Sequence, residues 1–207
     1  MGGLVENQVA QAIYGLANFA PGVTENVLLR ELQVNAMEMD IDHVLSSIIA
    51  RRQPAAVDLR FLVAMSKGTA NLERVGDEAA KISRMTKAMH EQSAGLAMPI
   101  AELGVTAALA RALLARALDA FARMDSASAQ AIIDADDEID RAFLDFVPKL
   151  VGCMTENRHA ISAALSLLFV AKALERVGDH AKNLAELTIY VVEGLDVRHL
   201  GSRQHVG

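Results

Sequence analysis

Eleven residues of this chain occur twice. Leu72–Ile82 reads LERVGDEAAKI, and Leu174–Leu184 reads LERVGDHAKNL, 102 positions later. Seven of the eleven are identical, and the first six match without a break. A long-range repeat limits the architecture before any local reading does, because each copy must be a supersecondary unit of similar shape. The copied segment carries two carboxylates four residues apart, Glu73 with Asp77 and Glu175 with Asp179. The chain therefore reads as a duplicated unit in which each copy keeps the same acidic pair.

The units are helical. Apolar residues make up 52% of the 207 and aromatic ones only 4%, so the interior is to be filled by aliphatic side chains packed helix on helix. Periodicity and breakers predict six helices, near Leu4–Phe19, Glu25–Ala50, Val57–Gln92, Pro99–Met124, Ala127–Met154 and His159–Val192. Pro21 with Gly22, Pro54 and Gly95 separate the first four, Pro148 predicts a kink in the fifth, and Gly194 closes the sixth. No segment reads as a strand. With the repeat, this predicts an all-α fold of two tandem three-helix bundles related by internal duplication, 1–93 and 97–195, with a loose tail over 196–207. Each bundle ends in a helix of about 35 residues, or about 50 Å.

Several function classes are excluded by composition. A net charge of −6 gives no basic surface for nucleic acid, and Arg51–Arg52 is too small a patch to supply one. The single cysteine, Cys153, rules out an internal disulfide framework and points to a reducing compartment. The N-terminus does not have the basic-then-apolar form of a signal peptide. The longest apolar stretch, Ala163–Ala171, is far short of the roughly 20 residues of a spanning helix. There is no glycine-rich phosphate loop.

On the third helix Leu72, Val75, Ala79, Ile82 and Met89 form one apolar stripe; on the sixth, Leu167, Val170, Leu174, Val177, Ala181 and Leu184 form its counterpart. At about 100° per residue the repeated carboxylates lie off these stripes, on an edge of each bundle. The fifth helix adds Asp136 and Asp140 beside its apolar face of Ile132, Ile139, Phe143 and Phe146. The second adds Glu31, Asn35, Glu38 and Asp42 along one edge. Like charges four residues apart repel by a few tenths of a kcal/mol. Two copies, each with a second acidic edge, call for a counter-ion. Carboxylate oxygens without sulfur suit hard or borderline cations. Spacing alone leaves a metal site and a solvated acidic face both open, the latter with Lys81 neutralising Asp77. Gly76 and Gly178 recur although mid-helix glycine costs about 1 kcal/mol against alanine, which suits close helix approach. Arg74 and Arg176 recur as well, placed to reach carboxylates across a helix interface or to meet a partner. His180, following Asp179, reads as a surface histidine or as a side chain touching the acidic cluster, and His43, His90 and His159 show no ligand spacing.

These segments resemble the PhoU family of phosphate-transport regulators over nearly the whole chain. The carriers are ARRQPAAVDLR (Ala50–Arg60), SKGTANLERVGDEAAKI (Ser66–Ile82), LDAFARMD (Leu118–Asp125) and LFVAKALERVGDHAKNLAE (Leu168–Glu186). The resemblance implies two duplicated three-helix bundles whose paired acidic motifs hold metal ions, in some members as multinuclear clusters. It implies metal ligation by Glu31, Glu73, Asp77, Asp136, Asp140, Glu175 and Asp179, with iron, manganese, magnesium or zinc as candidates. The first unit departs from the pattern at Asn35, where a carboxylate is expected; Glu38 and Asp42 are the substitutes at hand. MGGLVENQVAQAI aligns inside the family's first helix, so the chain is expected to start late relative to it.

The resemblance also implies a role. PhoU-like proteins are cytoplasmic adaptors, peripheral to the inner membrane through a phosphate ABC transporter and a sensor histidine kinase. They restrain uptake and keep the phosphate-starvation response off. The expectation is thus a negative regulator rather than an enzyme, with long faces that could pair as a homodimer. Two rivals stand beside it. One is a metal-free helical scaffold. The other is a di-metal carboxylate enzyme, for which only Glu156-Asn-Arg-His159 has the Glu-x-x-His form, without a second copy.

Overall fold

The computed structural model describes residues 1–93 and 96–198. Residues 94–95 of the predicted linker and the tail from 199 onward lie outside the described residues. Among the described residues seven α-helices follow one another: α1 (Gly2–Asn18), α2 (Pro21–Arg52), α3 (Ala56–Ser93), α4 (Gly104–Arg123), α5 (Ser126–Ala135), α6 (Asp137–Glu156) and α7 (Ile161–Glu193). Short 3₁₀ turns precede α4 and α7. Among the described residues there is no strand, and no helix is long and apolar enough to cross a membrane. The fold is all-α, two helical repeats related by duplication.

Proline punctuates differently from the reading above. Pro21 opens α2 instead of ending a turn, because the first helical position needs no N–H. Pro54 acts as a stop: α2 runs to Arg52, Gln53 turns left-handed (φ 48°), and its N–H closes on the Ile49 carbonyl. Arg51 and Arg52 lie in that last turn, where the helix dipole favours cations. Pro148 lies inside α6, and the predicted fifth helix is divided at Asp136 into α5 and α6. The reason is charge. Asp137, Glu138 and Asp140 occupy the first turn of α6, and three acids are better accommodated at a helix start than in its interior.

The predicted stripes are core. Val75, Ala79, Ile82 and Met89 are buried, Leu72 packs against them, and all six apolar residues predicted on α7 are buried. A single apolar cluster runs through all seven helices, so the two repeats share one interior. The most extensive packing in the molecule is α3 against α7. α7 also meets α4, α5 and α6, and is buried on most of its circumference.

Close approach explains the repeated glycines. A Cβ on Gly76 would sit 3.2 Å from Gln8 Oε1 and 3.4 Å from Val34 Cγ1, where α1 and α2 cross α3. One on Gly178 would meet Ile139 Cδ1 at 2.7 Å and Asp136 Oδ1 at 3.3 Å, where α6 crosses α7. Gln8 is 0% exposed; its Nε2 donates to the carbonyls of Val27 (3.1 Å) and Gly76 (3.2 Å), tying α1, α2 and α3 together.

These contacts set the sign of two substitutions. Gly178→Ala is expected to destabilise the fold by about 1–2 kcal/mol, because overpacking against buried Ile139 outweighs the helix-propensity gain. Gly152→Ala in α6, where a Cβ would meet nothing within 4 Å, is expected to stabilise by about 0.5–1 kcal/mol. Urea unfolding of the two variants against the parent checks both.

Candidate metal-binding clusters

The acidic residues form two groups, one in each repeat. In the second, Asp136, Asp140, Glu175 and Asp179 act on one another through their charges. Asp136 reaches its place because the α5–α6 junction lies over Gly178, and its residue is only 2% exposed. It accepts a hydrogen bond from Lys182 Nζ at 2.9 Å. Glu175 Oε1 pairs with Lys172 at 2.5 Å, while Glu175 Oε2 is buried and accepts no hydrogen bond. Burial, with the charges of Glu175, Asp136 and Asp140, pushes the Asp179 carboxyl up to about 6. Burial and Asp136 push Asp140 up as well. Burial works against the Lys182 ammonium, but its hydrogen bond to Asp136 together with the charges of Asp136, Glu186 and Asp137 outweighs that and leaves its pKa raised.

In the first repeat Glu73 of α3 is pushed up by burial and then by Asp77, Glu38 and Glu31. Glu31 pairs with Arg84 at 3.2 Å. Asn35 is half-buried, and its Oδ1 accepts no hydrogen bond. Glu38 therefore joins the group that Asn35 leaves one carboxylate short. Asp42 does not: it is exposed and accepts a hydrogen bond from Ser66 at 3.1 Å. Lys81 does not neutralise Asp77; it pairs with Glu78 at 3.6 Å.

The donors are oxygens that repel one another, and one buried carboxylate oxygen is left unsatisfied. In kind, this suits a hard or borderline cation. In placement, no three His, Cys, Asp or Glu side chains among the described residues converge closely enough to hold one. The cations already present, Lys172, Lys182 and Arg84, take up part of the negative charge.

The other candidates fall elsewhere. His180 is not on the surface: it is 6% exposed, with Nδ1 3.1 Å from Asn71 Oδ1 on α3. Burial, then Arg176 and Arg74, push its pKa down to about 4 and keep it neutral. Arg176 reaches across to Glu78 at 2.8 Å, the interface pairing its recurrence suggested. Glu156 and His159 flank the α6–α7 turn, and both are exposed. The buried roles of Gln8, Glu78 and Asp136 were not read from the sequence. The only clue was a polar residue lying within an apolar periodic stretch, as Gln8 does between Val5 and Val9.

The Asp179 shift has a definite sign. A carboxyl whose folded value lies above its ordinary one of 3.8 is better accommodated protonated. Its contribution to stability is fully present below pH 3.8 and is lost as pH rises toward about 6. With chelator present, Asp179→Asn is expected to stabilise the protein at pH 7.5 by about 1 kcal/mol, after allowance for solvent screening of a half-exposed group. The difference is expected to vanish near pH 4, as thermal unfolding at the two pH values will show.

The PhoU domain matches residues 1–86 and 106–188, one copy in each repeat. A phosphate-specific transport system accessory protein PhoU homolog from a Burkholderia species is 44% identical over 205 residues, covering 99% of this chain and 87% of that protein. The phosphate-specific transport system accessory protein PhoU of Escherichia coli K12 is 38% identical, covering 97% and 83%. Among solved structures, PhoU from Pseudomonas aeruginosa superimposes with a TM-score of 0.90 at 39% identity, covering 94% of this chain and 93% of that one. The phosphate transport system regulatory protein PhoU from Streptococcus pneumoniae has the same fold, with a TM-score of 0.86 at 24% identity. Two matched domains, full-length relatives and a shared fold place this chain in the PhoU family.

Proposed function

We propose that this chain is an accessory regulator of a phosphate-specific transport system, restraining uptake and holding the starvation response off when phosphate is plentiful. The observation that carries the reading is the likeness over 97–99% of this chain, at 38–44% identity, to proteins named for that system. Its partners are a phosphate ABC transporter and a sensor histidine kinase at the cytoplasmic face of the inner membrane, where the chain sits peripherally. Long helical faces suit an adaptor. α2 presents Leu29, Leu32, Met39 and Val44 to solvent, apolar surface of the kind that docks on a partner. The reading assigns no reaction to the chain. Affinity capture from phosphate-replete cells is expected to recover the transporter and the kinase together. Recovery of neither would overturn the proposal.

The same proposal gives the acidic clusters cations, whose ligands would have to draw closer together than they stand here: Asp136, Asp140, Glu175 and Asp179 in the second repeat, and Glu31, Glu38, Glu73 and Asp77 in the first. Bound metal would neutralise mutually repelling carboxylates and stiffen the helix edges. Elemental analysis of protein purified without chelator is expected to find iron, manganese, magnesium or zinc, and to find less in a Glu175→Gln/Asp179→Asn variant. Equal content would remove those two side chains from the ligand set. A metal-free scaffold is the second reading, favoured by the lysines already paired to Asp136 and Glu175. Absence of metal from the parent protein would establish it.

A further inference from the structure

The seam between α3 and α7 is built from the repeated segment on both sides, so each position faces a test of symmetry. Position 78 corresponds to position 180 under the repeat spacing of 102, and Arg74 corresponds to Arg176. On one side Arg176 crosses the seam to Glu78, which also pairs with Lys81. On the other side Arg74 acts on position 180, where the duplicated chain has histidine instead of glutamate. Arg74 is exposed and forms no ion pair or hydrogen bond with a described residue. The substitution therefore leaves one of two equivalent arginines without its carboxylate.

Arg74 does not stand alone. It lines a cavity of about 300 Å³ together with Lys67, Asn71, Asn183 and Arg198. Among the described residues no acidic side chain lines this cavity. The equivalent positions in the other repeat are Phe169 for Lys67, Ala173 for Asn71 and Lys81 for Asn183. There both cations, Lys81 and Arg176, are consumed by Glu78. Acids outside the lining reach some of its cations: Asp196 pairs with Arg198 and also acts on Lys67, and Glu186 acts on Arg198 and Lys182. Glu73, next to Arg74 in sequence, belongs to the first acidic cluster and feels the Arg74 charge without an ion pair to it, so Arg74 is the lining guanidinium that remains unpaired among the described residues. Asn71 Oδ1 is held by the His180 ring and the Asn183 amide, which fixes the floor of the cavity.

The geometry points to an oxyanion-binding site in this cavity, with Arg74 and Lys67 supplying charge and Asn183 an amide donor to a phosphate-type group. Guanidinium and ammonium in one concave, acid-free site give charge-assisted hydrogen bonds to tetrahedral oxygens. The site is separate from the acidic clusters and does not depend on the proposed function. Its ligand class is a small oxyanion, either free phosphate or the phosphoryl group of a larger molecule such as a nucleotide.

The test is calorimetric titration of the full chain with inorganic phosphate and, separately, with ATP, at low and at physiological ionic strength. Binding of phosphate is expected, weakening as salt rises. Arg74→Gln is expected to lower affinity about tenfold, whereas Arg111→Gln, an exposed cation on α4, is expected to leave it unchanged. His180→Glu restores the symmetric partner and is expected to lower affinity about as much as Arg74→Gln, with helical content intact by circular dichroism. Binding of ATP without phosphate would assign the site to a phosphorylated ligand. Binding of neither at about 10 mM, or equal affinity in the Arg74→Gln variant, would overturn the inference.

Discussion

The contact between α3 and α7 is the constraint on which the rest of the molecule depends. Two long helices, each carrying the same eleven-residue segment, press together with Gly68 against Leu184 at their crossing and Glu78 bridged to Arg176 along it. A carboxylate that is 5% exposed is costly to bury alone, so its guanidinium partner helps register one helix against the other. The remaining helices pack around this pair. α1 and α2 cover α3, while α4, α5 and α6 cover α7. Because α7 is enclosed on most sides, its sequence tolerates little but aliphatic and small residues over its middle turns.

The acidic clusters follow from the same packing. The glycine in each repeated segment lets a neighbouring helix approach α3 or α7 closely, and that approach brings the second helix's carboxylates beside the first's. In the second repeat this is direct: the space over Gly178 is taken by Ile139 and by Asp136 itself. Close packing and charge concentration are thus two results of one residue choice. Burial, and after it mutual repulsion among the carboxyls, raises the values of Asp140, Asp179 and Glu73. Lysines and an arginine placed at the rim offset part of the repulsion. A fold that needed only a core would have no reason to retain such clusters in both repeats.

Duplication also shows where the halves have diverged. Position 78 keeps a glutamate and position 180 has a histidine; one half uses Arg176 as an internal tie, and the other leaves Arg74 facing a cavity. Asn35, standing where a carboxylate is expected in the first repeat, is a second divergence, and Glu38 acts on Glu73 there. The two repeats share a scaffold and differ in the charges placed on it.

The repeat, the apolar stripes and the paired acids were legible along the chain, because helix periodicity converts residue spacing directly into faces. Val75, Ala79, Ile82 and Leu174 are buried as that periodicity requires, and both glycines serve close approach. Beyond the expectation that Arg176 reaches a carboxylate across a helix interface, which partners meet from distant parts of the chain was not legible. Lys182 with Asp136, Arg176 with Glu78 and His180 with Asn71 are separated by 46 or more positions, and only the packing of α7 against its neighbours brings them together. The burial of His180 was hidden for the same reason. A helix wheel reports one buried face, whereas α7 is covered on several, so a residue off the main stripe is buried too. Local spacing therefore dictated which elements form and which sides are apolar; charge pairing, protonation and the cavity at the seam were decided by which helix came to lie against which.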